Sequence, residues 1–217
     1  MTWKRLSILC AASIFVLYGG LILSLFYFYR GDVFQAAFMS ERTWAAIRLS
    51  FTAATTATLL SVLLGLPAAY ALSRHEFPGK WGVDTMLELP MIVSPAALGA
   101  MLLIFFNTPA GQLAQEWGVQ FVFSPAGVVL AQFITTVGVA TRLIKAALDE
   151  IPRRYEDVAR TMGASPLVAF TMITFPLCRR GIVAAAILTW AKAIGEFGAT
   201  ITLAGTMAMR TETLPIA

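Results

Sequence analysis

The sequence predicts an all-α fold, a polytopic bundle of transmembrane helices, and three observations predict it. Of 217 residues, 58% are hydrophobic and only 13% are charged. The mean hydropathy is +0.75. The apolar residues gather into runs of about twenty or more, the length needed to cross a bilayer, separated by short polar segments. Soluble domains carry roughly twice that share of charge, so this chain lacks the polar surface to cover a water-soluble globule. Those figures exclude a cytosolic enzyme, a secreted binding domain and a disordered chain. The net charge of +4 and isoelectric point of about 9.3 are read as a membrane protein's positive-inside bias, not as affinity for nucleic acid.

Five spans are expected. The first is Leu6–Tyr29, preceded by Lys4 and Arg5; it exceeds the apolar core of a cleavable signal peptide, so it is expected to stay. The second, Leu49–Leu72, is interleaved with Thr52, Thr55, Thr56, Thr58 and Ser61, residues that let helices approach closely and bond across the interface. The third, Leu87–Phe106, carries Pro90 and Pro95, which should bend it. The fourth is roughly Ala126–Leu148, with Arg142 and Lys145 in its last turns, and the fifth roughly Gly181–Ala204, with Lys192 and Glu196 inside. Placing the N-terminus in the cytoplasm puts Lys4, Arg5, Arg74, Lys80, Arg142, Lys145, Arg153, Arg154, Arg160, Arg179 and Arg180 inside and only Arg30, Arg42, Arg48 and Arg210 outside, which orients the chain. Trp3, Trp44 and Trp81 are read as interfacial anchors. Cys10 and Cys178 are expected to stay free, and neither they nor His75 has metal-ligand spacing.

One loop is long. Between spans four and five, about 149–181, Pro152 stops a helix, Glu156 and Asp157 favour the start of the next, and Gly163 supplies its left-handed end. Ser165 then caps, and Pro166 opens, a following helix along which Leu167, Phe170 and Ile173 recur at one-turn spacing. Such a helix–turn–helix is suited to docking a cytoplasmic partner.

Glu156-Asp157-Val158-Ala159-Arg160-Thr161-Met162-Gly163, followed by Ile173-Thr174-Phe175-Pro176, resembles the EAA loop of ABC importer permeases, with Asp157 standing at the motif's glutamate and Phe175 at its leucine. Leu66–Arg74 and Leu87–Pro90 resemble the same family's second and third spans. Ala191-Lys192-Ala193-Ile194-Gly195-Glu196-Phe197-Gly198-Ala199-Thr200 and Thr211-Glu212-Thr213-Leu214-Pro215 resemble its molybdate and tungstate branch, related to sulfate permeases. The resemblance implies a single type I importer permease domain over residues 1–217, multi-pass in a bacterial or archaeal plasma membrane. It implies a homodimeric pathway, a cytoplasmic ATP-binding subunit dimer and a periplasmic or extracellular oxyanion-binding protein. It also implies a sixth span, of which this sequence would hold only the first residues, the alternative being a five-span chain.

The chain has no glycine-rich phosphate loop, so no cofactor and no catalytic residue is expected on it, and ATP with its magnesium would belong to the partner. Glu156, Asp157, Ala159, Gly163, Ser165 and Pro176 are the residues expected to couple to that ATPase. Lys192, Glu196 and Thr200 are candidates for the translocation pathway. Lys192 and Glu196, four apart, would share a helix face, either as a neutralised pair joining helices or as part of the anion path. The alternatives are a sulfate or thiosulfate permease, an ion-coupled secondary transporter and, further off, a membrane enzyme.

Overall fold

In the computed structural model, residues 3–27, 38–116 and 118–216 are described. Among the described residues ten α-helices follow one another: α1 (Trp3–Tyr27), α2 (Glu41–Arg74), α3 (Lys80–Ile92), α4 (Pro95–Phe106), α5 (Pro109–Glu116), α6 (Pro125–Asp149), α7 (Arg154–Thr161), α8 (Pro166–Ala169), α9 (Phe175–Ile194) and α10 (Gly198–Ala204), with a π turn at Phe170–Thr174 joining α8 to α9. No strand occurs among the described residues. The chain divides into two compact units, Met1–Trp44 and Ala45–Ala217.

The first unit contains α1, 25 residues long and apolar enough to cross a membrane. The end expected for this span at Tyr29, together with Arg30, lies outside the described residues. At the other end of the unit the Trp44 indole donates to the Phe38 carbonyl and meets the Phe38 ring edge-on.

In the second unit, α2 and α6 run parallel with a nearly constant register. Ala53 packs with Val128, Ser61 bonds Thr136, the Gly65 backbone faces Thr141, and Ser73 bonds Asp149. A small residue recurs on α2 every fourth position, at Ala53, Ala57, Ser61, Gly65, Ala69 and Ser73, and each of these is buried. Lipid supplies no hydrophobic force between helices, so close backbone approach across small side chains is what holds such a pair. Alanine and glycine therefore carry more of this seam than the threonines that sequence reading favoured. Thr52 and Thr56 are exposed and bond back to their own helix, whereas Thr55 accepts from the Trp190 indole on α9.

Helix α6 is the centre of the unit, packing against α3, α4, α9 and α10 as well as α2. Against α3 the fit is tight: a Cβ on Gly138 would stand 2.3 Å from the Leu87 carbonyl oxygen. Arg142 on α6 pairs with Glu88 and lies 3.7 Å from Asp84, both on α3.

Two expected spans turn out to be broken. The third is a helix pair, α3 and α4, bent by 113° at Val93–Ser94. Ser94 is extended, as a residue before proline prefers, its hydroxyl accepts from Ala97 N, and Pro95 occupies the first helical turn, where its missing N–H costs nothing. The fifth is displaced toward the N-terminus. A helical stretch from Pro166 to Ile194, 29 residues, is long and apolar enough to cross, and it stops at Gly195 before the separate α10 begins. Cys178, expected in a loop, is consequently buried in α9. The buried positions Ala169, Thr174, Cys178, Ile182, Ala185, Thr189 and Ala193 follow helical spacing except for the five-residue step across the π turn. Pro176 explains that turn: it has no N–H to give the carbonyl four residues back, and the backbone widens so that Phe175 N bonds Phe170 O instead. Beyond α10, residues 205–216 form turns, with Leu214 N bonded to the Ser50 hydroxyl at 2.7 Å.

The glycine contacts make a paired prediction. Gly138→Ala should lower the melting temperature of the detergent-purified protein by the equivalent of about 1–3 kcal/mol of overpacking, because its obstacle is backbone. Gly82→Ala, which meets nothing within 4 Å, should leave melting unchanged. Equal melting of the two variants would rule out the close approach of α3 to α6.

Candidate functional site

The loop after α6 is fastened to the ends of two spans by one carboxylate. Glu156 lies on the first turn of α7 and is only 7% exposed. Its Oε1 accepts from Arg74 Nε at 2.9 Å and from the Thr174 hydroxyl at 2.6 Å, and its Oε2 accepts from the Tyr70 hydroxyl at 2.9 Å. Arg74 in turn donates Nη2 to the carbonyls of Leu148 and Ile151, at 3.1 and 3.0 Å. One cluster thereby joins the end of α2, the end of α6, helix α7 and the π turn. A buried carboxylate without partners would cost several kcal/mol, so this helix can sit here only because all three donors reach it. Burial by itself raises the Glu156 pKa. Hydrogen bonds from Thr174 and Tyr70 and the charge and hydrogen bond of Arg74 outweigh it, and the carboxyl is held below its ordinary value.

Around this clamp, Arg153 donates to the Ser73 carbonyl, and the Ser73 hydroxyl and Lys145 both donate to Asp149. The Tyr70 ring meets Phe170 edge-on, 4.8 Å between centroids.

Gly163 has φ +93°, and the bonds Gly163 N to Arg160 O and Ala164 N to Ala159 O, both 3.0 Å, close α7 in a Schellman motif. A Cβ there would meet nothing within 4 Å, so the glycine answers to backbone conformation alone. Ser165 caps α8 by accepting from Val168 N, and Pro166 is in its first turn. Ala159 is buried, while Asp157 is exposed. The motif's two acidic residues are thus divided, Glu156 inward as the anchor and Asp157 outward. Val158 and Met162 on or just after α7, and Leu167 and Met172 beyond the turn, expose 59, 84, 71 and 74% of their surface. The one-turn stripe expected of Leu167, Phe170 and Ile173 is therefore not a buried face: Leu167 is exposed and the other two are half-buried.

Sequence reading missed Tyr70, Arg74 and Thr174 as partners. The four-residue spacing of Tyr70 and Arg74 marks one helix face, but nothing local says that Glu156, eighty-two residues after Arg74, would arrive there.

The pathway candidates lie at the break between α9 and α10. Lys192 is in the last turn of α9, where a cation complements the helix dipole, and it is half-buried with no ion pair among the described residues. Glu196 lies beyond the helix end, so the two do not share a helix face as their spacing suggested. The Glu196 side chain is 5% exposed and accepts from Ala199 N at 3.1 Å, at the start of α10. Thr200 is fully buried. Helix α10 packs on α4: a Cβ on Gly198 would come within 2.9 Å of Ala96 N, and one on Gly99 within 2.8 Å of the Ala199 carbonyl oxygen. The breaks in two spans thus meet. Gly195, by contrast, has ordinary space.

A profile of the family described as binding-protein-dependent transport system inner membrane component matches residues 61–214. The molybdenum transport system permease protein ModB of Escherichia coli is 35% identical over 182 residues, 82% of this chain and 80% of its own. The sulfate transport system permease protein CysW of Synechocystis sp. is 32% identical over 223 aligned residues, 99% of this chain and 81% of its own. A probable molybdenum ABC transporter permease protein of Haloferax volcanii is 36% identical over 203 residues, 94% and 75%. Among solved structures, a bacterial ABC transporter involved in the import of the acidic polysaccharide alginate superposes with a TM-score of 0.75 over 99% of this chain and 82% of that one, at 18% identity, a likeness of fold.

Replacing Glu156 by Gln should strand Arg74 and lower the stability of the detergent-solubilised protein by roughly 3 kcal/mol at neutral pH. Because the folded pKa is depressed, that advantage over Glu156→Gln is complete above the ordinary glutamate value of 4.5 and is lost as pH falls below it. Melting curves of the two proteins that stay equally far apart down to pH about 3 would contradict the clamp.

Proposed function

This chain belongs to the family of binding-protein-dependent transport system inner membrane components, an ABC importer permease of type I, and from that premise we propose that it forms the translocation pathway for molybdate or tungstate. A second copy would complete the pathway, a cytoplasmic dimer of ATP-binding subunits would dock on the segment at about 149–181, and an oxyanion-binding protein would deliver cargo on the opposite face, with the N-terminus cytoplasmic. ATP and magnesium would be held by the partner.

The observation that carries the coupling reading is the Glu156 clamp. A docked partner that moves α7 must move the end of α2 with it, through Arg74 and Tyr70, and the start of α9, through Thr174. Helix α9 then runs without interruption to Gly195, where α10 leans on α4. A displacement at the loop is therefore transmitted along a stiff rod to the paired breaks inside the membrane. Asp157, Val158 and Met162, which face outward, are the residues offered to the partner, while Gly163, Ser165 and Pro176 set the shape that presents them. Opening to one side or the other requires contacts that differ between the two states, and the nucleotide-driven approach of the ATPases would supply that difference.

For the cargo, Lys192 supplies a cation beside the break, and with no ion pair among the described residues it is able to attract an oxyanion weakly, as a site that must release its cargo requires. The stretch Gly195–Thr200 and the molybdenum-transporting relatives favour molybdate or tungstate. A sulfate permease is the second reading, favoured by the alignment of nearly the whole chain with the cyanobacterial sulfate relative.

Two experiments separate these points. With the ATPase and binding protein reconstituted in liposomes, uptake of labelled molybdate or tungstate should exceed that of sulfate, and Lys192→Met should reduce it; preferential uptake of sulfate would replace the cargo assignment by the second reading. In the same vesicles, Gly163→Pro and Asp157→Lys should each abolish ATP-driven uptake while the variants still insert in the membrane. Normal uptake in both would reject the docking role.

A further inference from the structure

The buried polar side chains of α6 are of two kinds. Thr135, Thr136 and Thr141 turn their hydroxyls back to carbonyls of their own helix, at 3.1, 2.6 and 2.8 Å, which is how a short hydroxyl is satisfied away from water. Gln132 is fully buried as well, yet neither its Oε1 nor its Nε2 has a hydrogen-bond partner among the described residues. Thr58 and Thr213 each leave one hydroxyl in that condition. Gln132 leaves a whole amide, donor and acceptor together. Such a group disfavours the conformation that buries it unpaired.

Packing register shows what lies opposite. Two contacts have α9 and then α10 passing α6 in the reverse direction. Before the break in that span, a Cβ on Gly181 would stand 2.5 Å from the Ala147 Cβ; beyond it, one on Gly127 would stand 3.7 Å from the Ala204 Cβ. Between these fixed points Gln132 falls level with residues 196–199, the break itself, and the buried cluster that holds Ala131 with Ala199 and Leu203 agrees. One turn to either side on the same face of α6, Val128 packs with Ala53 and Ala204, and Thr136 bonds Ser61. Gln132 therefore sits where α2, α6 and the broken span meet. A helix break frees carbonyls on one side and N–H groups on the other, and an amide can take one of each. In this conformation the start of α10 is served by Glu196, which accepts from Ala199 N.

We propose that Gln132 is a positioning residue of the transport cycle: in the permease's other state its amide takes backbone groups of 196–199, and its lack of partners in the present state biases the equilibrium toward that other one. The inference rests on the coupling reading above, in which motion at the loop reaches this break. Only an interaction that differs between two states can shift the balance between them, and an amide paired in one and unpaired in the other is such an interaction.

The test compares melting of the permease–ATPase complex, nucleotide-free and trapped with ATP and vanadate, in wild type and in Gln132→Met, which keeps the length and removes both polar groups. The variant should melt higher than wild type in one condition and lower in the other, by about 2–4 °C each, and ATP-driven uptake should fall by at least about fivefold. Gln132→Leu, of different shape, should give the same opposed signs, which a packing defect would not. Thr135→Val, whose hydroxyl is satisfied within α6, should shift both conditions in one direction. Both Gln132 variants melting lower in the two conditions, as they would if a buried water served the amide in every state, or higher in the two, would overturn the assignment, and so would unchanged uptake. A wild type without ATP-driven uptake would instead fail the coupling reading, and this inference with it.

Discussion

A carboxylate buried in protein must find its hydrogen bonds there, and Glu156 finds them on two other elements, α2 and the π turn. Burial works against its charge; the Arg74 guanidinium and the hydroxyls of Tyr70 and Thr174 more than offset it. Because those donors come from α2 and from the π turn, and because Arg74 also holds the last carbonyls of α6 and its following turn, satisfying one charge ties the loop rigidly to the spans. Replacing the cluster by apolar side chains could also fill the space, but it would not specify the same orientation of α7.

The same demand explains the rest of the loop's geometry. Its two helices are ended and started by local chemistry: a left-handed glycine at Gly163, a serine cap at Ser165 and a proline at each place where an N–H can be spared. The proline that could not be spared, Pro176, lies inside the long helix. The helix accommodates it by widening one turn, and the widened turn is what carries Thr174 to Glu156.

Within the bilayer, packing is achieved by what side chains lack. The four-residue ladder of alanine, serine and glycine on α2 brings its backbone against α6, and Gly138, Gly99 and Gly198 let neighbouring backbone approach where any Cβ would collide. At the two broken spans the helix starts are capped by side chains beside the breaks, Ser94 accepting from Ala97 N and Glu196 from Ala199 N, and Gly198 brings the second break against Ala96 of the first.

How much of this was legible in the sequence can be judged residue by residue. Composition and run lengths established an all-helical membrane protein, and the loop signals at Gly163, Ser165 and Pro166 located its two short helices, because caps and left-handed ends are decided by a few neighbouring residues. The division of labour between Glu156 and Asp157 was not legible: adjacent acids look alike until the arrival of Arg74 and Tyr70, contributed from far along the chain, makes one a buried anchor. Nor was the displacement of the last span, since hydropathy averages over a window and cannot see that Gly195-Glu196-Phe197 leaves the helix while Phe175-Pro176 stays in it. Local conformation and membrane residence were determined by the sequence alone, through short-range sterics and transfer energy. Which charge is paired, where a span breaks and what those breaks lean on were decided only by tertiary structure, because each depends on partners that chain connectivity keeps tens of residues apart.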